Sequence, residues 1–179
     1  MKDKKCRICG KIFQPFSSTQ RVCSPACAIS MVNKKKSEEK RKERRKKTQE
    51  YYEKDKSFQR TKAQKSFNRY IRERDRYALC ISCGKWHNGQ WHAGHYRTTK
   101  AASQLRFNED NCHKQCAPCN NHLSGNIVEY RINLIKKIGL ERVEALENSH
   151  EIKKYTLEDY YYIIDTYKRK LKELLDRRN

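Results

Sequence analysis

Two cysteine pairs, Cys80/Cys83 and Cys116/Cys119, bracket the run Trp91-His92-Ala93-Gly94-His95-Tyr96. Four thiolates at that spacing close one tetrahedral zinc site. Both histidines, and Asn120 directly after the second pair, are then left for other chemistry. A second set, Cys6, Cys9, Cys23 and Cys27, repeats the pattern near the N-terminus: Cys6 and Cys9 flank a turn completed by Gly10, and Ser24-Pro25 reads as an N-cap and first helical residue, which places Cys27 on the opening turn of a helix. The expectation is two structural Zn²⁺ ions per chain. Cys112 is the ninth cysteine and reads as a packed thiol.

The elements that position these groups follow from local signals. Cys80-Ile81-Ser82-Cys83-Gly84 makes a knuckle, and Trp86 to Tyr96 is strand-like around an Asn88-Gly89 hairpin turn. Residues three apart on a regular strand face opposite ways, so His92 and His95 share one metal site only if Ala93-Gly94 forms a bulge. Asn111 lies in the connector returning to the second knuckle, where its amide could staple the loop. A short helix should start after Cys119 with Asn120 on its first turn, followed by a Ser124-Gly125-Asn126 break. Ile127, Tyr130, Leu134, Ile135 and Ile138 then form a helical stripe ending at Gly139. From Ala28 to about Tyr77 no Pro or Gly interrupts one long or once-broken helix. Residues 34–47 of it hold ten basic and three acidic side chains. Such a segment has no face to bury and stands in solvent or along a phosphate backbone, through Lys34, Lys35, Lys36, Arg41, Arg44 and Arg45. Beyond it Phe58, Ala63, Phe67, Tyr70 and Ile71 form a core-facing stripe.

Composition sets the bounds. The chain has 179 residues, net charge +21 and 36% hydrophobic residues, with a mean hydropathy of −1.14. One large core is out of reach, and zinc, which contributes roughly 10–16 kcal/mol in small modules, supplies part of the folding energy. The positive field has a polyphosphate as its natural partner, with an acidic membrane surface as the usual competitor. No apolar run spans a bilayer, and Met1-Lys2-Asp3-Lys4-Lys5-Cys6 does not lead into a secretory signal, so no membrane partner is expected. Cysteines without an export signal indicate a reducing compartment and metal ligation in place of disulfides.

A family resemblance rests on Phe67-Asn68-Arg69-Tyr70-Ile71-Arg72-Glu73-Arg74-Asp75, Cys80-Ile81-Ser82-Cys83-Gly84, Ala93-Gly94-His95-Tyr96-Arg97, Leu105-Arg106-Phe107-Asn108, Gln115-Cys116, Cys119-Asn120, Ser124-Gly125-Asn126 and Glu129-Tyr130-Arg131. Together these resemble the NinG (Rap) recombination proteins of lambdoid phages. The resemblance implies a structure-selective DNA endonuclease acting on branched intermediates such as Holliday junctions and D-loops, in the cytoplasm of a bacterial host. The metal module is also similar to the HNH, or ββα-metal, nucleases and to the endonuclease VII resolvases, in which an Asp-x-x-His lies between a CxxC and a CxxC-Asn. On that pattern His95 is the general base. Asn120 and His92 hold one Mg²⁺ or Mn²⁺, with His122 as the substitute ligand. His92 stands where that relative has Asp, and an imidazole would shift ion preference toward Mn²⁺. Arg97 joins the nucleic-acid contacts. His87, His113 and His150 have no such context.

The C-terminal part carries Leu140, Val143 and Leu146, then a helix capped by Thr156 with Asp159 and striped by Tyr160, Ile164, Tyr167, Leu171 and Leu174. Packing on the nuclease module and a homodimer seam are equally open for that stripe. The expected architecture is α+β and zinc-stapled: an N-terminal zinc module (1–30), a basic helical linker (31–78), an HNH-like ββα-metal nuclease module (79–139) and a helical tail (140–179). A metal-dependent endonuclease is the leading function, and a non-catalytic zinc-dependent nucleic-acid-binding accessory factor is the alternative.

Overall fold

A computed structural model describes residues 2–178. The chain divides into two compact units, one up to Glu53 and one from Lys54 onward. In the first, β1 (Lys4–Lys5) pairs antiparallel with β2 (Ile12–Phe13). The long helix α1 (Pro25–Lys54) starts as its residues dictate: Pro25 occupies the first turn and the Ser24 hydroxyl accepts from the Cys27 amide at 3.2 Å. No residue of α1 is buried.

The second unit opens with α2 (Lys56–Arg74), capped by the Asp55 carboxylate, which accepts from the Phe58 amide at 2.7 Å. The helical run is thus once-broken, at Asp55. Ala63, Phe67 and Ile71 are buried as the periodicity predicts, joined by Gln59, while Phe58 is exposed. β3 (Trp91–His95) pairs antiparallel with β4 (Cys112–Cys116), in the register Trp91↔Cys116 to His95↔Cys112. The partner of β3 therefore comes after a long connection, and Asn88-Gly89 does not join two paired strands. That dipeptide signals only a turn, whereas the pairing is decided by what β4 buries: all five of its residues are buried. β4 leads into a single wide helical turn (Pro118–His122), closed by Leu123 N–H donating to the Pro118 carbonyl at 3.1 Å. Then come α3 (Ile127–Ile138), α4 (Leu140–Glu147) and α5 (Leu157–Asp176). The Thr156/Asp159 capping box at the start of α5 is present.

Two cores hold this unit. Ala63, Phe67 and Ile71 of α2 pack with Cys112 and with Tyr160, Ile163, Ile164 and Tyr167 of α5. On the other side Tyr130 and Leu134 of α3 and Val143 and Leu146 of α4 pack with Ile81, Tyr96, Ala102 and Leu105. Much of the α5 stripe is occupied by α2 of the same chain, so packing is what it does. The architecture is mixed α+β, with two small antiparallel sheets and long helices. Among the described residues no helix is long and apolar enough to cross a membrane.

Candidate active site

The two thiolate sets assemble as their spacing predicts. The four Sγ atoms of Cys6, Cys9, Cys23 and Cys27 lie within 4.8 Å of one another, and so do those of Cys80, Cys83, Cys116 and Cys119. Zn–S bonds of ~2.3 Å place tetrahedral ligands about 3.8 Å apart. Separations of 3.4 Å for Cys9–Cys23, 3.7 Å for Cys23–Cys27, 3.5 Å for Cys80–Cys116 and 3.9 Å for Cys83–Cys116 fit that edge. Backbone amides already face sulfur, Cys23 N–H to Cys6 Sγ and Cys116 N–H to Cys80 Sγ, both at 3.4 Å. These donors favour the charged thiolate. His87 sits beside the second set, its Nε2 3.2 Å from Cys83 Sγ.

His95 ends β3, half-buried, and its Nε2 lies 2.9 Å from the Arg106 carbonyl. A carbonyl only accepts, so Nε2 carries the proton and Nδ1 keeps its lone pair. Burial lowers the His95 pKa below its ordinary value; the Arg106 carbonyl opposes this and the Arg106 charge reinforces it. His95 and Asn120 line one cleft of about 400 Å³, with Ala93, Thr98, Thr99, Ser124, Gly125 and Ile127. The Asn120 Nδ2 donates to Asn121 Oδ1 at 2.8 Å, which leaves the Asn120 Oδ1 for a further partner.

Three supports fix that geometry. Asn111 is fully buried: its Nδ2 donates to the carbonyls of Arg97 (3.0 Å) and Leu105 (3.1 Å), and its Oδ1 accepts from Arg97 N–H (2.8 Å). The loop carrying Thr98 and Arg106 is stapled by that one amide. Behind the His95 ring stands Phe67, with centroids 6.1 Å apart. Gln115 pins the Ser124-Gly125-Asn126 turn: its Nε2 donates to Gly125 O and Ser82 Oγ, both at 2.6 Å. In doing so its side chain crosses Gly94, where an added Cβ would fall 2.0 Å from Gln115 Oε1.

β3 pairs residue for residue through Ala93 and Gly94, with no bulge, so His92 and His95 are on opposite faces. His92 does not line the cleft, and its Nε2 is buried with no hydrogen-bond partner among the described residues. His122 and His150 are exposed. Lys34, Lys35, Lys36, Arg41, Arg44 and Arg45 are exposed along α1. Arg97 is half-buried, and its guanidinium donates to the Glu147 carbonyl at 2.7 Å. His113 is buried, with its Nδ1 3.5 Å from the Asp75 carboxylate. Cys112, directly across from His95, has its Sγ 3.9 Å from His95 Nδ1, and burial pushes its thiol up. Sequence reading missed Arg106, Thr98 and Thr99 as neighbours of the site. Arg106 stood inside a recognised motif, but only the fold brings its carbonyl under His95.

The family described as "Bacteriophage Lambda NinG protein" matches residues 1–177. The chain is 51% identical over 126 residues to Protein ninG of Escherichia phage lambda, covering 70% of this chain and 62% of that protein. It is 42% identical over 192 residues to Protein ninG of Escherichia phage 933W, covering 98% of this chain and 96% of that protein. The lambda alignment thus spans less than two thirds of that relative's length. No solved structure matches. A match over residues 1–177, which include both cysteine sets and the residues lining the cleft, places this protein in the NinG family.

Proposed function

We propose that this chain is a metal-dependent DNA endonuclease of the ββα-metal kind, selective for branched recombination intermediates such as Holliday junctions and D-loops. The observation that carries the reading is the His95 tautomer: Nε2–H is spent on the Arg106 carbonyl, so Nδ1, with the Cys112 thiol 3.9 Å away, is an acceptor on a residue that lines one cleft with Asn120. The order strand, strand, helical turn, with two zinc knuckles at its corners, supports the same reading.

Hydrolysis of a phosphodiester needs a water deprotonated in line with the leaving oxygen and positive charge where the phosphoryl oxygens gather negative charge. His95 Nδ1 takes the water proton, and its lowered pKa keeps it neutral and ready to do so. Phe67 and the Arg106 carbonyl hold the ring. Asn120, through its free Oδ1, would hold one Mg²⁺ or Mn²⁺, with exposed His122 as the second candidate ligand; His92, on the face of β3 opposite His95, does not join that set. When bound, that ion supplies Lewis-acid stabilisation of the scissile phosphate. The Thr98 and Thr99 side chains line the same cleft, where a phosphate oxygen would lie.

The test is incubation of purified zinc-loaded protein with labelled four-way junction and linear duplex, with and without Mg²⁺ or Mn²⁺. Cuts near the branch point that depend on the added ion are expected. Tight binding of both DNAs with no cutting under any ion would establish the accessory factor instead, for which the exposed basic α1 suffices.

A further inference from the structure

The molecule carries a second feature aimed at nucleic acid, away from the His95 cleft. Trp86 stands on the first knuckle of the second cysteine set with 54% of its surface exposed. The knuckle is rigid: Cys80 N–H donates to the Lys85 carbonyl at 3.1 Å and Gly84 N–H to the Cys80 carbonyl at 2.9 Å. Lys114 lies over the ring, its Nζ 4.3 Å from the Trp86 centroid and 4.1 Å from that of Trp91. The Lys114 residue is itself 3% exposed, and its Nζ donates to the Arg76 carbonyl at 2.8 Å. The indole is therefore held by a cation, and more than half of its surface stays in water. Exposing that much aromatic surface on a fixed element stabilises nothing within the chain.

The surroundings name the partner. Residues 76–92, on either side of Trp86, contain no Asp or Glu and include Arg76 and Lys85, and Lys114 lies against the ring. Tyr77 and Leu79, on the segment leading into the knuckle, are also exposed. An exposed aromatic ring held against a lysine, in a stretch of chain without carboxylates, suits a strand whose phosphates are anionic and whose base offers a flat π-face. Paired bases within a duplex bury both faces in the stack, whereas an unpaired base does not.

We propose that Trp86 is a stacking platform for an unpaired base of single-stranded DNA, through which the protein recognises unpaired nucleotides at a branch. This rests on the nucleic-acid part of the function proposed above and not on cleavage.

The chain has two tryptophans, so Trp91→Phe leaves Trp86 as the sole indole emitter. Zinc content is measured first, because Trp91 packs on the cysteine set. Titration of that zinc-loaded full-length variant, without added divalent ion, uses oligothymidylate and a blunt duplex of equal length. Quenching of Trp86 by the single strand and little by the duplex is expected. In the otherwise native protein, Trp86→Ala should weaken single-strand binding about 5- to 100-fold and duplex binding no more than about twofold, while Trp86→Phe retains most of the affinity. Equal quenching by both DNAs, or a Trp86→Ala protein whose two affinities are both unchanged or fall together, overturns the inference. Because the measurement contains no hydrolysis, its failure is separable from failure of the endonuclease reading. Absence of binding to either DNA overturns both.

Discussion

His95 is useful because its two ring nitrogens have been given different work. His95→Ala should lower junction cleavage by ~10²–10⁴-fold, the range for loss of a general base, with zinc content and DNA affinity nearly unchanged. Near-normal turnover would move the base elsewhere. Burial lowers the His95 pKa, so the ring stays neutral to a lower pH than a free histidine. The acid limb of the cleavage profile should accordingly fall below the ordinary ~6.5, and a limb at or above 6.5 would contradict the burial argument. The sign for stability is the opposite of a salt-bridged histidine's. The unfolded chain binds the proton more readily, so stability drops as pH falls below ~6.5. Next to it, Gly94→Ala puts a methyl where Gln115 Oε1 lies, and should cost about 1–3 kcal/mol in chemical denaturation by forcing Gln115 off Gly125. At this scale the sequence was readable wherever a residue acts through its neighbours along the chain: both cysteine sets, the Ser24 cap and the Asn111 staple. Arg106 and Cys112 beside His95 were not, since eleven and seventeen positions separate them from it and only β-pairing closes those gaps.

Between elements, the hairpin is tied to its helices by charge as well as by apolar packing. Asp75, at the C-terminal end of α2, is 6% exposed and meets Arg74 at 2.8 Å, Lys137 of α3 at 3.0 Å and the Lys114 backbone amide of β4 at 3.1 Å. His113 joins it at 3.5 Å. Burial alone would raise the Asp75 carboxyl; the contacts of His113 and Arg74 and the charges of Arg74 and Lys137 overcome this and hold it far below the usual carboxylate range. That contribution is complete above the unfolded pKa of ~3.9 and is lost as pH falls toward the depressed folded value. Asp75→Asn removes the buried partner of the part-exposed Arg74 and Lys137 and should cost about 2–4 kcal/mol, below the full buried-pair figure because water reaches both cations, read by thermal or denaturant unfolding. A change under about 1 kcal/mol would mean that water already screens the cluster. At its other end the same hairpin carries the second cysteine set, whose four thiolates are placed to hold zinc. Elemental analysis of protein purified without added zinc should give two ions per chain, and one ion reproducibly would remove one of the thiolate sites. The Ser24 and Thr156 caps and most of the helical stripes were legible because helical order is local, whereas the Asp55 cap and the exposure of Phe58 were not. The strand partner was not, because Asn88-Gly89 is a stronger local signal than anything announcing β4 before the fold buries it.

For the whole molecule, the proposed function makes phosphate the dominant source of affinity, given a net charge of +21 and a helix without a buried face. At 1.5 Å per residue, the 30 residues of α1 extend about 45 Å. Replacing Lys34, Lys35, Lys36, Arg41, Arg44 and Arg45 together with Gln should weaken binding to every DNA and flatten the salt dependence, by roughly 0.9 in log K against log salt for each duplex phosphate that is no longer neutralised. Cutting that remains should still fall at branch points, since α1 reads no shape by itself. An unchanged salt slope would place the phosphate-binding charge on another surface. The charge of this segment was plain in the sequence, but the division of the chain at Glu53 was not: the basic run and the apolar stripe of α2 belong to one uninterrupted helical pattern until Asp55 caps the second half.

The packing of α5 on α2 has a bearing on when, as well as how, the cleft exists. Phe67, the wall behind His95, is itself covered by Tyr167, their rings 4.8 Å apart. During synthesis α2 and the hairpin emerge well before Tyr167 does, and at translation speeds of roughly 5–20 residues per second that interval lasts several seconds. Throughout it the His95 ring has a wall with nothing behind it. On the proposed function, the nascent chain carries its second thiolate set before its general base has a supported wall, and it becomes competent to cut only after its last helix has been made.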